Sequence, residues 1–186
     1  MNYLFYKYGE IDSNPPFAIL KNGYEVEIWR PTLGQWVPQG INWFPYLIWF
    51  SFHVFRIFRN KMFSILIIRN QGAVVHRSYT FPRYLRFPLM QLSDVQVGDT
   101  WTAPNCRGNG LASFALNYIV AHYNSITRDI WYLVDESNIG SIKAVEKAGF
   151  YCFGEGVRKS RFGINMLGYY ELKVTYENST GIKRES

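Results

Sequence analysis

Cysteine is scarce in this chain. Cys106 and Cys152 are the only two among 186 residues, too few for a disulfide framework. Neither they nor the three histidines fall at metal-ligand spacing, so no metal is expected. The chain also lacks the Gly-Lys-Ser/Thr that closes a Walker loop and the Gly-x-Gly-x-x-Gly of a dinucleotide fold. Its main apolar block, residues 41–58, is broken by Ser51, His53 and Arg56 and falls short of the ~20 apolar residues that span a bilayer. The first residues, Met-Asn-Tyr-Leu-Phe-Tyr-Lys-Tyr, carry no basic region, apolar run or small-residue cleavage site, which reads as a cytoplasmic chain. Acidic residues are the minority, 14 against 20 lysines and arginines, for a net charge of +6. That balance suits an anionic ligand or an anionic membrane surface. The basic residues form no dense patch and no nucleic-acid reader motif, so nucleic acid is not an expected partner.

Aromatic residues are what the chain has in excess, at 18%, concentrated between Trp29 and Phe87. Strands are expected at 3–8 and 24–29, with a turn at 12–16 and a loop over 30–40 carrying Pro31, Gly34, Pro38 and Gly40. Residues 41–58 read as a helix capped by Asn42. It either packs against a sheet or lies in a membrane interface, with Trp43, Tyr46 and Trp49 at headgroup level and Arg56, Arg59 and Lys61 facing anionic lipid. An apolar strand at 62–68 turns through Asn70, Gln71 and Gly72 into a hairpin partner at 73–79. An aromatic-basic loop spans 81–88. A strand at 95–102, a helix near 110–123, a strand at 129–134, a helix near 138–148 and a strand at 150–153 follow. Gly154, Gly156 and Gly163 mark a turn region, and a last strand runs from Met166 to Val174. The expected fold is α/β, a mixed and mostly antiparallel twisted sheet with helices on both faces. One domain is expected over 1–176, then a frayed polar tail at 177–186.

The stretch Pro104-Asn-Cys-Arg-Gly-Asn-Gly-Leu-Ala112 carries the most functional information. A strand turns through two glycines into a helix start. Such a turn aims unpaired N–H groups at one point, and the helix dipole adds partial positive charge there. A phosphate or pyrophosphate is the natural guest.

Arg107-x-x-Gly110-x-Ala112 resembles the Arg/Gln-x-x-Gly-x-Gly/Ala signature of the GNAT acyltransferase superfamily. Residues 129–150, with Asn138, Ser141 and the closing Glu146-Lys-Ala-Gly-Phe150, resemble that superfamily's next strand, helix start and Glu-Lys-x-Gly-Phe. The resemblance covers roughly 73–175 and implies that this part holds the acyl-coenzyme A, with 1–72 on the acceptor side. The run His76 to Pro88 is loosely similar to members tied to bacterial surface-polysaccharide synthesis. The resemblance implies direct transfer of an acetyl group from acetyl-coenzyme A to a primary amine. It implies cofactor contacts from the backbone of Arg107, Gly108, Asn109, Gly110, Leu111 and Ala112. Pantetheine pairing falls to Trp101, Thr102 and Ala103 beside a splayed strand, with Asn138 as a further contact or a plain helix cap.

The base is expected among Asp94, Asp99 and His76. Asp94 is the first choice: if Val95 and Val97 face the core, strand alternation turns Asp94 toward a cleft. A bulge could reverse the parity of Asp99, and His76 titrates near neutral pH. Val145 stands where the family often has a tyrosine that protonates the leaving thiolate. That departure keeps open a non-catalytic coenzyme A-binding or membrane-surface module, and a protein-amine acetyltransferase also remains. Cys106, at a helix start beside Arg107, is not needed as a nucleophile. On the acceptor side, Arg77, Arg83, Tyr84 and Arg86 are expected to form a stacking and phosphate-binding wall. That suits a small anionic acceptor such as a nucleotide- or lipid-linked amino sugar. Peripheral membrane contact is assigned to 41–58. The oligomeric state stays open, a dimer included.

Overall fold

The structure, a computed structural model, describes residues 2–8, 20, 23–32, 34–123, 125–176 and 183–185; the turn expected at 12–16 lies outside them. Two strands open the chain, β1 (Asn2–Tyr8) and β2 (Tyr24–Trp29). Helix α1 (Trp43–Val54) follows. The hairpin β3 (Ser64–Asn70) and β4 (Ala73–Pro82) comes next. Its two-residue turn puts Gln71 at φ 50° and Gly72 at φ 78°, the left-handed pair that matches the twist of antiparallel strands. Then come β5 (Val95–Thr102), a 3-10 turn at Pro104–Cys106, α2 (Leu111–Tyr123), β6 (Ile130–Asp135) and α3 (Ile139–Lys147). The chain ends in β7 (Phe150–Arg161), β8 (Ile164–Tyr176) and β9 (Lys183–Glu185).

The strands form one nine-stranded sheet in the order β2-β3-β4-β5-β6-β1-β7-β8-β9. Only β5 and β6 pair in parallel; every other neighbouring pair is antiparallel. One face is covered by α2 and α3, whose apolar residues pack on Leu66, Val95, Val97, Tyr132 and Val134. The other carries α1 and an aromatic core of Trp29, Tyr46, Phe58, Phe63, Tyr79, Phe81, Tyr84 and Phe87. The aromatic excess is therefore the second core of the molecule.

Three expectations need correction. The first strand does not sit with β2 and β3 on the acceptor side; β1 pairs with β6 on one edge and β7 on the other. Gly154 and Gly156 do not turn the chain. They lie inside the 12-residue β7, where a Cβ would stand 2.1 Å from the backbone oxygens of Val174 and Glu171 respectively. They are small because β8 runs against them, and the turn falls later, at Phe162 and Gly163 (φ 53° and 72°). The tail is not wholly frayed, since Lys183–Glu185 pairs with β8.

A buried polar chain lies on the α2 face of β4 and β5. His76, fully buried, places Nδ1 2.8 Å from Thr102 Oγ1 and Nε2 3.0 Å from Ser78 Oγ. Ser78 Oγ lies 3.1 Å from Thr100 Oγ1. Burial lowers the His76 pKa from 6.5 to about 4, because a charged imidazolium there would lose its water. In the unfolded chain His76 binds a proton below its ordinary value; in the fold it does not until about pH 4. The unfolded state therefore holds more protons across that window, and stability falls as pH falls through it. Up to ~3 kcal/mol of unfolding free energy should be lost by wild type between neutral pH and about pH 4, beyond any loss in His76→Gln. Denaturant titrations of both proteins at the two pH values check this; equal losses would contradict the buried neutral imidazole.

Candidate active site

The parallel pairing of β5 and β6 lasts only three residues, Val95, Gln96 and Val97 opposite Ile130, Trp131 and Tyr132. Beyond Val97 the strands part. A parallel ladder that stops early leaves edge N–H and C=O groups of β5 without a strand partner, and buried groups of that kind call for a ligand or water. Just past that point β5 carries a bulge on its other edge. Between β4 and β5 the register passes from Tyr79 opposite Gly98 to Arg77 opposite Trp101, so β5 holds one extra residue, and Asp99 sits there at φ 46°. The bulge resets the alternation. Thr100 and Thr102 join His76 and Ser78 on the α2 face, and Trp101 stands with Arg77 on the α1 face.

At the open end of the splay lies a cavity of about 690 Å³, lined by Thr100, Trp101 and Thr102 of β5, by Arg107, Gly108 and Gly110 of the loop, by the start of α2, by Tyr132, and by the flank of α3 from Asn138 to Lys147. The first turn of α2 leaves the N–H groups of Leu111, Ala112 and Ser113 without intrahelical acceptors. Phe114 is the first to find one, on Gly110 O at 2.9 Å. Gly108 and Gly110 both take left-handed φ, 78° and 76°, and a Cβ on either would meet no protein atom within 4 Å. The space that a side chain would fill is open cavity. Bare amides, a helix N-terminus and the cationic Arg107, Lys143 and Lys147 along one cavity fit an elongated phosphate-bearing cofactor such as coenzyme A.

Of the expected cofactor residues, Trp101, Thr102, Arg107, Gly108, Gly110, Leu111, Ala112 and Asn138 line this cavity. Ala103 and Asn109 bond elsewhere: Ala103 N–H donates to Val75 O of β4 at 2.9 Å, and Asn109 Nδ2 donates within the loop to Cys106 O at 3.3 Å. Asn138 caps α3, its Oδ1 accepting the Ser141 N–H at 3.1 Å, and it also lies on the cavity wall. Cys106 is a free thiol at the cavity wall. The sequence reading missed Tyr132, Lys143 and Lys147. Helical spacing from Asn138 could have found the lysines; Tyr132 needed the splay.

The three base candidates are dispersed. Asp94 is fully buried at the far end of β5, roughly 25 Å along the strand from Thr102 at ~3.3 Å per residue. It accepts from Gln91 N–H at 2.7 Å and Trp131 Nε1 at 2.9 Å. It precedes the strand, so strand parity does not apply to it, and it staples a loop instead of facing the cavity. His76 lies beneath the cavity wall, reaching it only through Thr102 and through Ser78 and Thr100. Asp99 is exposed at the bulge, with 33% of its side chain accessible. Trp49 Nε1 of α1 donates to its Oδ2 at 3.2 Å, and the Arg77 guanidinium stands 3.8 Å from Oδ1. Burial raises its pKa above the ordinary carboxylate value, while Arg77 and the Trp49 hydrogen bond pull it back part of the way.

The expected acceptor wall does not form as drawn. Tyr84 is buried against Phe58, Phe81 and Phe87, so it has no face for a ligand to stack on. Arg83 donates to Pro88 O at 3.2 Å and lines a separate cleft with Arg59 and Arg161. Arg86 hydrogen-bonds the Tyr84 hydroxyl. Arg77 alone of the four reaches the splay, its guanidinium 5.7 Å from the Trp101 ring and 5.9 Å from that of Tyr79. Val145 is core, with no exposed surface.

Residues 62–150 match the model of the Acetyltransferase (GNAT) family. No curated protein matches the sequence. Among solved structures, a GNAT-family acetyltransferase from Colwellia psychrerythraea superimposes with a TM-score of 0.51 at 17% identity, over 81% of this chain and 52% of that one. A GCN5-related N-acetyltransferase from Sphaerobacter thermophilus gives 0.58 at 14% identity, over 83% and 49%. The chain thus spans about half the length of these structures, and at such identities the likeness is one of fold. The loop that bares its amides lies inside the matched segment, with the strand before it and the helix after it, so residues 62–150 are similar to the GNAT acetyltransferase family and the fold around them is that of its solved members.

Proposed function

We propose that the chain transfers an acetyl group from acetyl-coenzyme A to the primary amine of a small anionic acceptor, an amino sugar linked to a nucleotide or a lipid, in the cytoplasm. The observation that carries the reading is the cavity where the β5–β6 splay meets the bare amides of Gly108 to Ser113. Bound there, acetyl-coenzyme A supplies a thioester carbonyl; the amine nitrogen forms the new C–N bond as the C–S bond breaks. The loop amides and Arg107 hold the diphosphate. The free edge of β5 orients the pantetheine arm, and its position fixes where the carbonyl stands. Asp99 takes the amine's proton. Among the three candidates it alone joins the splay, a side chain with some solvent access and a raised pKa, which makes a carboxylate a better base. Arg77 and Trp101 flank it and present a cation and a ring to an anionic, ring-bearing acceptor. Tyr132, lining the cavity where the strands part, stands in for the tyrosine missing at Val145 as proton source for the thiolate.

A second reading, a coenzyme-binding module without catalysis, is favoured by the burial of Val145 at the family's tyrosine position. Free thiol appearing when acetyl-coenzyme A and amino-sugar nucleotides are mixed with the protein decides between them; tight coenzyme binding with no thiol release selects the module.

Gly110→Val should weaken coenzyme A binding at least tenfold, about 1.4 kcal/mol, because its side chain enters the cavity and because valine at the left-handed φ of 76° strains the loop that presents the amides. Calorimetric titration of a variant with a native circular-dichroism spectrum is the check, and undiminished affinity would remove the cofactor assignment. Asp99→Asn should lower kcat by ~10²-fold or more with coenzyme affinity little changed. Asparagine tolerates the left-handed φ of the bulge and keeps an acceptor for Trp49. The wild-type kcat/KM profile should lose activity on the acid side at a pH above the ordinary carboxylate range, and that limb should vanish in the variant. An unaltered limb would pass the role to another group.

A further inference from the structure

The face of α1 turned away from the sheet is apolar. Tyr46, Trp49, Phe50 and Phe52 pack inward on the aromatic core. On the opposite arc, at helical spacing, Trp43, Leu47, Ile48 and Val54 are exposed, and Phe55, just past the helix end, is 75% exposed. Trp36 and Val37 of the preceding loop are exposed as well, and Tyr46 donates its hydroxyl hydrogen bond to Trp36 O, which ties that loop to the helix. A helix apolar all round is ordinarily buried; here half of it meets solvent. Beside it runs an open groove of about 940 Å³ whose walls include Trp36, Phe50 and Phe58 and whose rim carries Arg56, Arg59 and Lys61. Among the described residues no carboxylate pairs with these three cations. The sequence explains why: residues 28–93 hold eight of the twenty lysines and arginines and none of the fourteen acids.

We infer that this face docks on a bilayer containing anionic phospholipid, with Trp43, Leu47, Ile48 and Phe55 entering the headgroup boundary and Arg56, Arg59 and Lys61 meeting lipid phosphates. Tryptophan beside aliphatic residues, rimmed by unpaired cations, is the composition of an interfacial surface. A second copy fits poorly, because a two-fold contact through this face would bring the same three cations together with no acid to offset them. No helix among the described residues is long and apolar enough to cross a membrane, so the contact lies along the surface. The inference goes beyond the acetyl-transfer reading and does not depend on it.

The test is co-sedimentation of the full chain with vesicles of phosphatidylcholine alone and of phosphatidylcholine mixed with phosphatidylglycerol, at low and high salt. Wild type should bind the mixed vesicles, bind pure phosphatidylcholine much less, and release as salt rises. Arg59→Glu with Lys61→Glu should weaken binding at least about tenfold, since each replaces a cation facing the anionic surface by an acid that it repels. Ile48→Ser with Phe55→Ser should weaken it comparably, and the tryptophan emission shift on binding should be lost. All four positions have little tertiary contact to lose, and melting curves verify folding. No binding by wild type, equal binding to both vesicle types, or undiminished binding by both variants overturns the inference. So does a wild-type dimer that Ile48→Ser with Phe55→Ser converts to monomer without any vesicle binding. Acetyl transfer to a soluble amine, assayed without lipid, reports on the catalytic reading separately.

Discussion

The site depends on a parallel strand pair that ends after three residues. Had β5 and β6 stayed paired to their ends, the loop amides would still face solvent, but no edge would be free to receive the rest of an elongated ligand. The bulge at Asp99 bears on this from the β4 side. It changes which residues of β5 face which layer, placing Thr100 and Thr102 against the buried His76 chain and Trp101 toward Arg77. The same extra residue puts a carboxylate where the strands separate. One local irregularity thus affects both which side chains line the opening and the chemistry beside it.

The far half of the sheet is attached through β1. A strand–helix–strand crossover such as β6-α3-β7 ordinarily brings two parallel neighbours side by side. Here the slot between them is filled by the N-terminal strand, which pairs antiparallel with both. Lys7 strengthens the junction: its ammonium is 3.0 Å from Asp129 and lies over the rings of Trp131 and Phe153 at 4.2 and 4.4 Å. β7 and β8 then pack so closely that Gly154 and Gly156 have no room for a Cβ. Separating β6 from β7 moves α3 with them, and α3 carries the lysines of the cavity wall.

Local signals made much of this legible. Alternation placed β2 and β5 at their observed limits, and the Asn-Gln-Gly turn and the Gly-to-Leu helix start fell where expected because those conformations are encoded within a few residues. The errors were all non-local. Gly154 and Gly156 look like turn residues until β8 is beside them. β1 has no sequence mark of its central place. Asp94 appeared to share a strand's alternation because its hydrogen bond to Trp131, 37 residues away, is invisible in the chain order. Arg83 and Arg86, three apart, diverge because the loop after β4, which begins at Arg83 and not at Phe81 as expected, is pinned by buried Tyr84 and Phe87. In the candidate site, the glycine turn into α2 was readable from its motif, while the choice of Asp99 as the proposed base required knowing which strand bulged.

The two faces of the sheet divide the proposed work. The coenzyme cavity opens among α2, α3 and the loop, whereas Arg77, Trp101 and Trp49 belong to the α1 side. The splay is where the two sides can meet, and Asp99 stands at it. Trp49 makes that link physical: its indole N–H holds the Asp99 carboxylate while its ring packs on Phe81 and Phe52. Trp49 is on the inner arc of the same helix whose outer arc is exposed and apolar. A ligand or surface that shifts α1 therefore acts on a hydrogen bond to the proposed base through a single side chain. On the proposed reading, an acceptor delivered from a membrane under α1 would arrive on the Asp99 side of the splay, opposite the proposed coenzyme cavity.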